Sequence, residues 1–241
     1  MPDVRFKDLC IDATAVGDTP RRVAEFWGRL LGQEVVERDD GPYVLEPPPG
    51  GPDGRRVWVN DVPEPMVGKS RVHLDVRLPP GSVDDLVAAG ATVRRAPDGE
   101  VRWHVLEDPD GLVFCVMGPH PRYPDAPFGP FELVVDAADP VASAQWWAAR
   151  TGATVNRPPD APWCFLTGVA GFPFDFWVFT PVPEPKRAKN RVHWDVTLAD
   201  GTIGDLVRAG ARLLREPDGT DEWWVLADPE GNEFCAFAPP G

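Results

Sequence analysis

The chain has 241 residues, 43% of them hydrophobic and 26% charged, which is enough for one large core or two smaller ones. A formal charge of −14 argues against nucleic acid, since phosphate binding needs an excess of Lys and Arg. No apolar run reaches the roughly 18 residues of a membrane span, and the four cysteines form no CxxC pair, which excludes a zinc knuckle and a disulfide frame.

In chain order, DLCIDA (8–13) alternates as a strand does. Thr19-Pro20 then offers an N-cap and a proline at the first helical position. Val23, Phe26, Trp27, Leu30 and Leu31 make one apolar helical face, closed by Gly32. Short strands fit 34–39, 43–46 and 56–62, and RVHLDVRL (71–78) opens a second run. Ser82-x-x-Asp85 reads as a capping box for a short helix ending at Gly90. Strands follow at 91–96, 102–107 and 112–117, the last two joined by DPDG, whose Asp, Pro and Gly suit a type I turn. The order is βαβββ, twice.

The same text then repeats. A shift of 120 carries Pro63-Glu64-Pro65, Lys69, Arg71-Val72-His73, Asp75-Val76, Ala89-Gly90-Ala91, Asp108-Pro109 and Phe114-Cys115 onto identical residues. ELVVDA (132–137) matches DLCIDA at a shift of 124, Asp139-Pro140 replaces Thr19-Pro20, and Thr202-x-x-Asp205 replaces the first capping box. Domains are therefore predicted at 1–120 and 130–241, with the Pro-rich 121–129 as linker. Thirty prolines fit many turns, and ten tryptophans fit a packed fold.

VPEPK-x-x-KNRVHWDV (182–196), DPEGNEFC (228–235) and AEFWGRLLG (24–32) resemble the vicinal oxygen chelate superfamily, most closely its glyoxalase-like domains. The resemblance implies an α+β fold of two tandem glyoxalase-like domains, each a pair of βαβββ units forming a cupped mixed sheet around a cleft. It also implies metal ligands on the opening and last strands. Carried over by position, these fall on Asp8, His73 and Cys115 in one domain and on Glu132, His193 and Cys235 in the other. A cysteine stands where the superfamily usually has glutamate, so no metal is favoured; zinc, iron, nickel or manganese is the alternative.

Strand alternation puts His73, Asp75 and Arg77 on one face, with Val72, Leu74 and Val76 on the other. His193 and Asp195 face the same way in the second copy. A histidine beside a carboxylate suits either a structural network or a general base. One member of each pair Trp103-His104 and Trp223-Trp224 is expected to line a cleft. Arg71, Arg191, Lys69 and Lys189 are expected as solvated loop charges, with Arg191 a candidate anchor for a ligand.

The expected function is sequestration of a small organic molecule in an aromatic-lined cleft, in the manner of bleomycin-resistance proteins. The alternative is a glyoxalase-type lyase, isomerase or dioxygenase using Glu132, His193, Asp8 or His73, with or without a metal. With neither signal peptide nor membrane span read in the sequence, a cytoplasmic location is expected, with no nucleic-acid or membrane partner. The chain is expected as a monomer with internal pseudo-two-fold symmetry, or as a homodimer.

Overall fold

Four βαβββ units follow one another along the chain. In this computed structural model all residues are described except 40, 51–54, 120–124, 220 and 240–241, so the first four residues of the predicted linker lie outside the described residues. The first unit comprises β1 (Val4–Thr14), α1 (Thr19–Leu31), β2 (Glu34–Glu37), β3 (Tyr43–Glu46) and β4 (Val57–Val62). The second comprises β5 (Val72–Arg77), α2 (Ser82–Ala88), β6 (Thr92–Arg95), β7 (His104–Glu107) and β8 (Val113–Met117). The third holds β9 (Gly129–Ala137), α3 (Pro140–Thr151), β10 (Thr154–Asn156), β11 (Cys164–Thr167) and β12 (Phe176–Pro181). Completing the set are β13 (Val192–Leu198), α4 (Ile203–Arg208), β14 (Arg212–Arg215), β15 (Trp224–Ala227) and β16 (Glu233–Phe237).

The units pair across the repeat. One eight-stranded sheet has the order β14-β15-β16-β13-β1-β4-β3-β2, joining the fourth unit to the first. The other has the order β10-β11-β12-β9-β5-β8-β7-β6, joining the third unit to the second. The α+β class and the two-unit sheets are as expected. What differs is the source of each pair, because both sheets take one unit from each half.

A single core fills the space between the sheets, with α1 and α3 inside it. Leu9, Ile11 and Val59 from the first sheet and Leu74, Val76 and Leu133 from the second are all buried. Phe26 and Trp27 of α1 meet Phe114 of β8 at 5.7 and 5.2 Å between ring centroids. Trp147 of α3 meets Trp194 of β13 at 5.2 Å and Trp177 of β12 at 5.0 Å. Burying rings of this size contributes on the order of 4–6 kcal/mol each before entropy is counted, so these contacts bind the two sheets together. Trp194 is fully buried on this apolar face of β13.

Local signals mostly held. Gly32 closes α1 in the left-handed conformation at φ 66°, and Asp139 caps α3 by accepting from the Ala142 amide at 2.9 Å. Thr202 and Asp205 form the complete capping box on α4. Two caps depart from expectation. Asp18 rather than Thr19 precedes α1, and Gly81 rather than Ser82 precedes α2, in neither case with a side-chain cap bond. At Gly81 φ is 88°, a turn that starts the helix one residue earlier and leaves Ser82 inside it. Among the described residues, no helix is long and apolar enough to cross a membrane.

Candidate functional site

Directly opposed residues on paired strands put their side chains on one face of a sheet. On β5, Asp75 opposes Glu132 of β9 on one side and Cys115 of β8 on the other. His73, two residues before it, opposes Val134. These four polar groups therefore share the face of the second sheet that points away from the core. His73 Nε2 lies 3.3 Å from Asp75 Oδ1, and the imidazole Nδ1 is buried with no hydrogen-bond partner among the described residues. Ligand atoms of His73, Asp75 and Cys115 all lie within 4.8 Å of one another.

Burial sets the charge state of this cluster. Loss of water pushes the Glu132 carboxyl up to about 8, reinforced by the charge and hydrogen bond of Asp75 and opposed by Arg77. Burial and Asp75 likewise push the Cys115 thiol far above its ordinary range, so it stays protonated at neutral pH. Near neutrality Glu132 holds a proton in a hydrogen bond to Asp75, an arrangement able to donate and recover it.

An apolar ledge adjoins the cluster. Glu132 also opposes Phe176 of β12, and Phe165 of β11 opposes Val178, which in turn opposes Val134. The rings of Phe165 and Phe176 meet edge to face at 5.1 Å, and Trp163, 39% exposed, lies 6.0 Å from Phe165. On the far side Val105 opposes Cys115. Arg77 stacks 4.1 Å over Phe131, at an irregularity in β9, and donates to the Pro127 carbonyl at 3.2 Å.

The corresponding face of the first sheet carries Cys10, His193, Asp195 and Cys235, since Cys10 opposes His193 and Asp195 opposes Cys235. Its centre holds a built-in cation. Between Phe6 and Leu9 the register of β1 slips, and Lys7 reaches Asp8 at 2.5 Å and Asp195 at 3.9 Å. Lys7 also lies 4.4 Å over the Phe237 ring, and Trp58 donates to Asp8 at 3.2 Å. Burial raises Asp195 to about 7, with Lys7 opposing. Burial also lowers His193, whose Nδ1 lies 3.8 Å from Asp12, itself paired with Lys189 at 2.6 Å. The repeat places Phe131 where the first sheet has Lys7 and Arg77 where it has Thr197. One face is closed at its centre by an ammonium group, and the other is lined there by an aromatic ring.

The sequence-based candidates thus regroup. Glu132 joins His73 and Cys115 instead of His193 and Cys235, and Asp8 lies in the sheet of His193 and Cys235 instead of that of His73 and Cys115. Both halves write the same strands, so a pattern of alternation cannot say which copies pair. Trp223 takes the outer face, stacked on Phe237 at 5.5 Å, whereas Trp224 opposes Ala236 and packs on the core. His104 opposes Val116 and faces the core, and Trp103 lies just before β7 begins. Arg191 is not a solvated charge. It is buried and donates to Thr14 Oγ1 at 3.1 Å and to the Glu64 carbonyl at 2.5 Å. Arg71, also buried, bonds the Glu184 carbonyl in the same way. Lys69 and Lys189 pair with the buried Asp136 and Asp12 at 2.5 and 2.6 Å. Alternation alone missed Phe165, whereas Phe176 belongs to the aromatic-rich run 172–179, which marks it as a candidate for a cleft lining.

For a metal, the two faces differ. In the second sheet imidazole, thiol and carboxylate converge, a donor set suited to zinc or ferrous iron, and the imidazole Nδ1 lacks a partner. In the first, the Lys7 ammonium lies against both carboxylates and does not fit a second cation.

Residues 8–117 and 132–237 each match the family model described as a glyoxalase-like domain. Among solved structures, glyoxalase I from Zea mays superposes with a TM-score of 0.65 at 13% identity, covering 97% of this chain and 92% of its own. A putative dioxygenase from Bacillus subtilis subsp. subtilis str. 168 gives 0.62 at 13% identity, covering 98% and 87%. No curated protein matches the chain in sequence.

Proposed function

The chain belongs to the glyoxalase-like domain family, within the vicinal oxygen chelate superfamily, and from that premise we propose that its second sheet binds a flat small organic molecule. The single observation that carries this reading is the juxtaposition of the Phe165–Phe176 ledge with the buried Glu132–Asp75 pair. Aromatic rings supply a face for an apolar ring system, and the carboxyl pair accepts from a hydroxyl or amine head group. The overall charge of −14 favours approach of a cationic ligand.

A second reading, turnover by proton transfer, draws on the proton that Glu132 retains up to about pH 8. A divalent cation such as zinc would be held by His73, Asp75 and Cys115 and would supply Lewis-acid polarisation of a bound oxygen. In the binding reading the protons on Glu132 and Cys115 keep the cluster near neutral without a metal.

Tryptophan fluorescence titrated with a panel of phenols and aromatic amines tests the proposal. Saturable quenching is expected, weakened at least tenfold by Phe165→Ser and unchanged by dialysis against a chelator. An unchanged spectrum across the panel contradicts binding, and loss on chelation restored by zinc contradicts metal independence. If the site also turns a ligand over, Glu132→Gln abolishes turnover, whereas Phe165→Ser acts chiefly on binding.

A further inference from the structure

A groove of about 560 Å³ lies where the loop before β5 meets the loop before β13. Each half supplies one copy of the same loop, and the two latch reciprocally. Arg71 bonds the Glu184 carbonyl of the second copy, and Arg191 bonds the Glu64 carbonyl of the first. The walls carry Lys69, Arg71, Lys186, Arg187 and Lys189 against two acidic residues, Asp136 and Glu184. On a chain of net charge −14, such a concentration of cations runs against the composition.

Three of these cations are held from behind. Asp136, Asp12 and Glu233 pair with Lys69, Lys189 and Lys186 at 2.5, 2.6 and 2.6 Å. Asp136 and Asp12 are buried, and the side chains of Lys69 and Lys189 remain 57% and 51% exposed, so each ion pair has its lysine at the groove wall, within reach of solvent. Arg187 is exposed and has no acidic partner among the described residues. The internal repeat shows that the loop does not need all of this charge. Where the second copy has Lys186-Arg187, the first has Met66-Val67 and builds the same latch. Of the two added cations, Lys186 pairs with Glu233 and donates to the Ala188 carbonyl of its own loop at 2.8 Å, which leaves Arg187 as the one without a part in the loop's fold among the described residues.

We propose that this groove is a binding site for a small polyanion, a ligand carrying two or more phosphate or carboxylate groups. Arg187 engages the anionic groups, Lys69 and Lys189 line the walls beside it, and the exposed Val67 lies beside any apolar part. The groove adjoins the outer face of the second sheet through Asp136 and Lys69, and the proposal does not rest on the small-molecule reading of that face.

Isothermal titration of the full chain with inorganic pyrophosphate and with citrate, at constant ionic strength, tests it. One saturable site per chain is expected for at least one probe. Pyrophosphate alone identifies a phosphate ligand and citrate alone a carboxylate. Arg187→Val, which installs the first copy's residue at an exposed position, should weaken binding about tenfold with the melting temperature unchanged. Arg187→Lys should recover most of the affinity, and Arg102→Ala, an exposed arginine outside the groove, should leave it intact. Heats that do not saturate with either probe, or equal affinity in Arg187→Val, would overturn the proposal.

Discussion

Glu132 and Lys7 mark the chemical difference between the two faces. In the second sheet a carboxyl must keep its proton to remain buried beside Asp75, whereas in the first Lys7 supplies the positive charge. This has a consequence for stability. The folded-state values of Glu132 and Asp195 are raised, to about 8 and about 7, above those of an unfolded chain near 4. Between those limits the unfolded state releases protons that the folded state keeps. Stability is therefore full below about pH 4 for these groups and is lost as pH rises through their folded values. The melting temperature should fall from pH 5 to pH 8, and Glu132→Gln should flatten that slope. A melting temperature that rises over this range in the wild type would contradict the assignment. At this scale the sequence made His73, Asp75, Glu132 and Cys115 legible one by one. It hid the function of Lys7, because the register slip in β1 that turns its head toward Asp195 leaves no mark on the alternation.

Among the elements, α1 and α3 do more than cover a sheet. Trp27 of α1 donates to Asp108 at 2.8 Å, and the other oxygen of Asp108 accepts the Asp110 and Leu112 amides at 2.9 Å each. Trp147 of α3 makes the equivalent bond to Asp228 at 3.1 Å. The DPDG and DPEG turns were readable as turns, yet nothing in their spacing announced that the aspartate also anchors a helix tryptophan. Asp108→Ala strands two buried donors and a third that is partly buried, so a loss of about 2–4 kcal/mol is expected in urea unfolding. Capping supplies a paired control. Thr202→Ala should cost about 1 kcal/mol, because its hydroxyl accepts the Asp205 amide, while Ser82→Ala should cost under about 0.5 kcal/mol. Equal costs for the two would show that the helices begin alike. The sequence-level capping box was correct for α4 and wrong for α2 because Gly81 adopts a left-handed turn one residue earlier.

Across the whole molecule the governing fact is exchange between the halves. Two copies of one text fold into two sheets, each of which borrows a unit from the other copy. Contacts beyond the sheets enforce this. Gly171, from the third unit, packs so tightly on β1 that an added Cβ would sit 2.3 Å from the Phe6 carbonyl oxygen, and φ there is 78°. The Phe6 amide bonds the Ala170 carbonyl at 2.8 Å, and its ring meets Phe172 at 5.1 Å. The fold class, the unit order and most strand positions could be read from alternation and turns. Pairing could not, because identical strands in both halves offer equally good partners, and the choice is made by packing between sheets. A double-mutant cycle tests it most directly, with Glu132→Gln combined first with Asp75→Asn and then with Asp195→Asn, each read as unfolding free energy in urea. Exchange predicts a coupling above about 0.5 kcal/mol for Glu132 with Asp75 and additivity within about 0.3–0.5 kcal/mol for Glu132 with Asp195. The reverse pattern, with Glu132 coupled to the Asp195 of its own half, would contradict it.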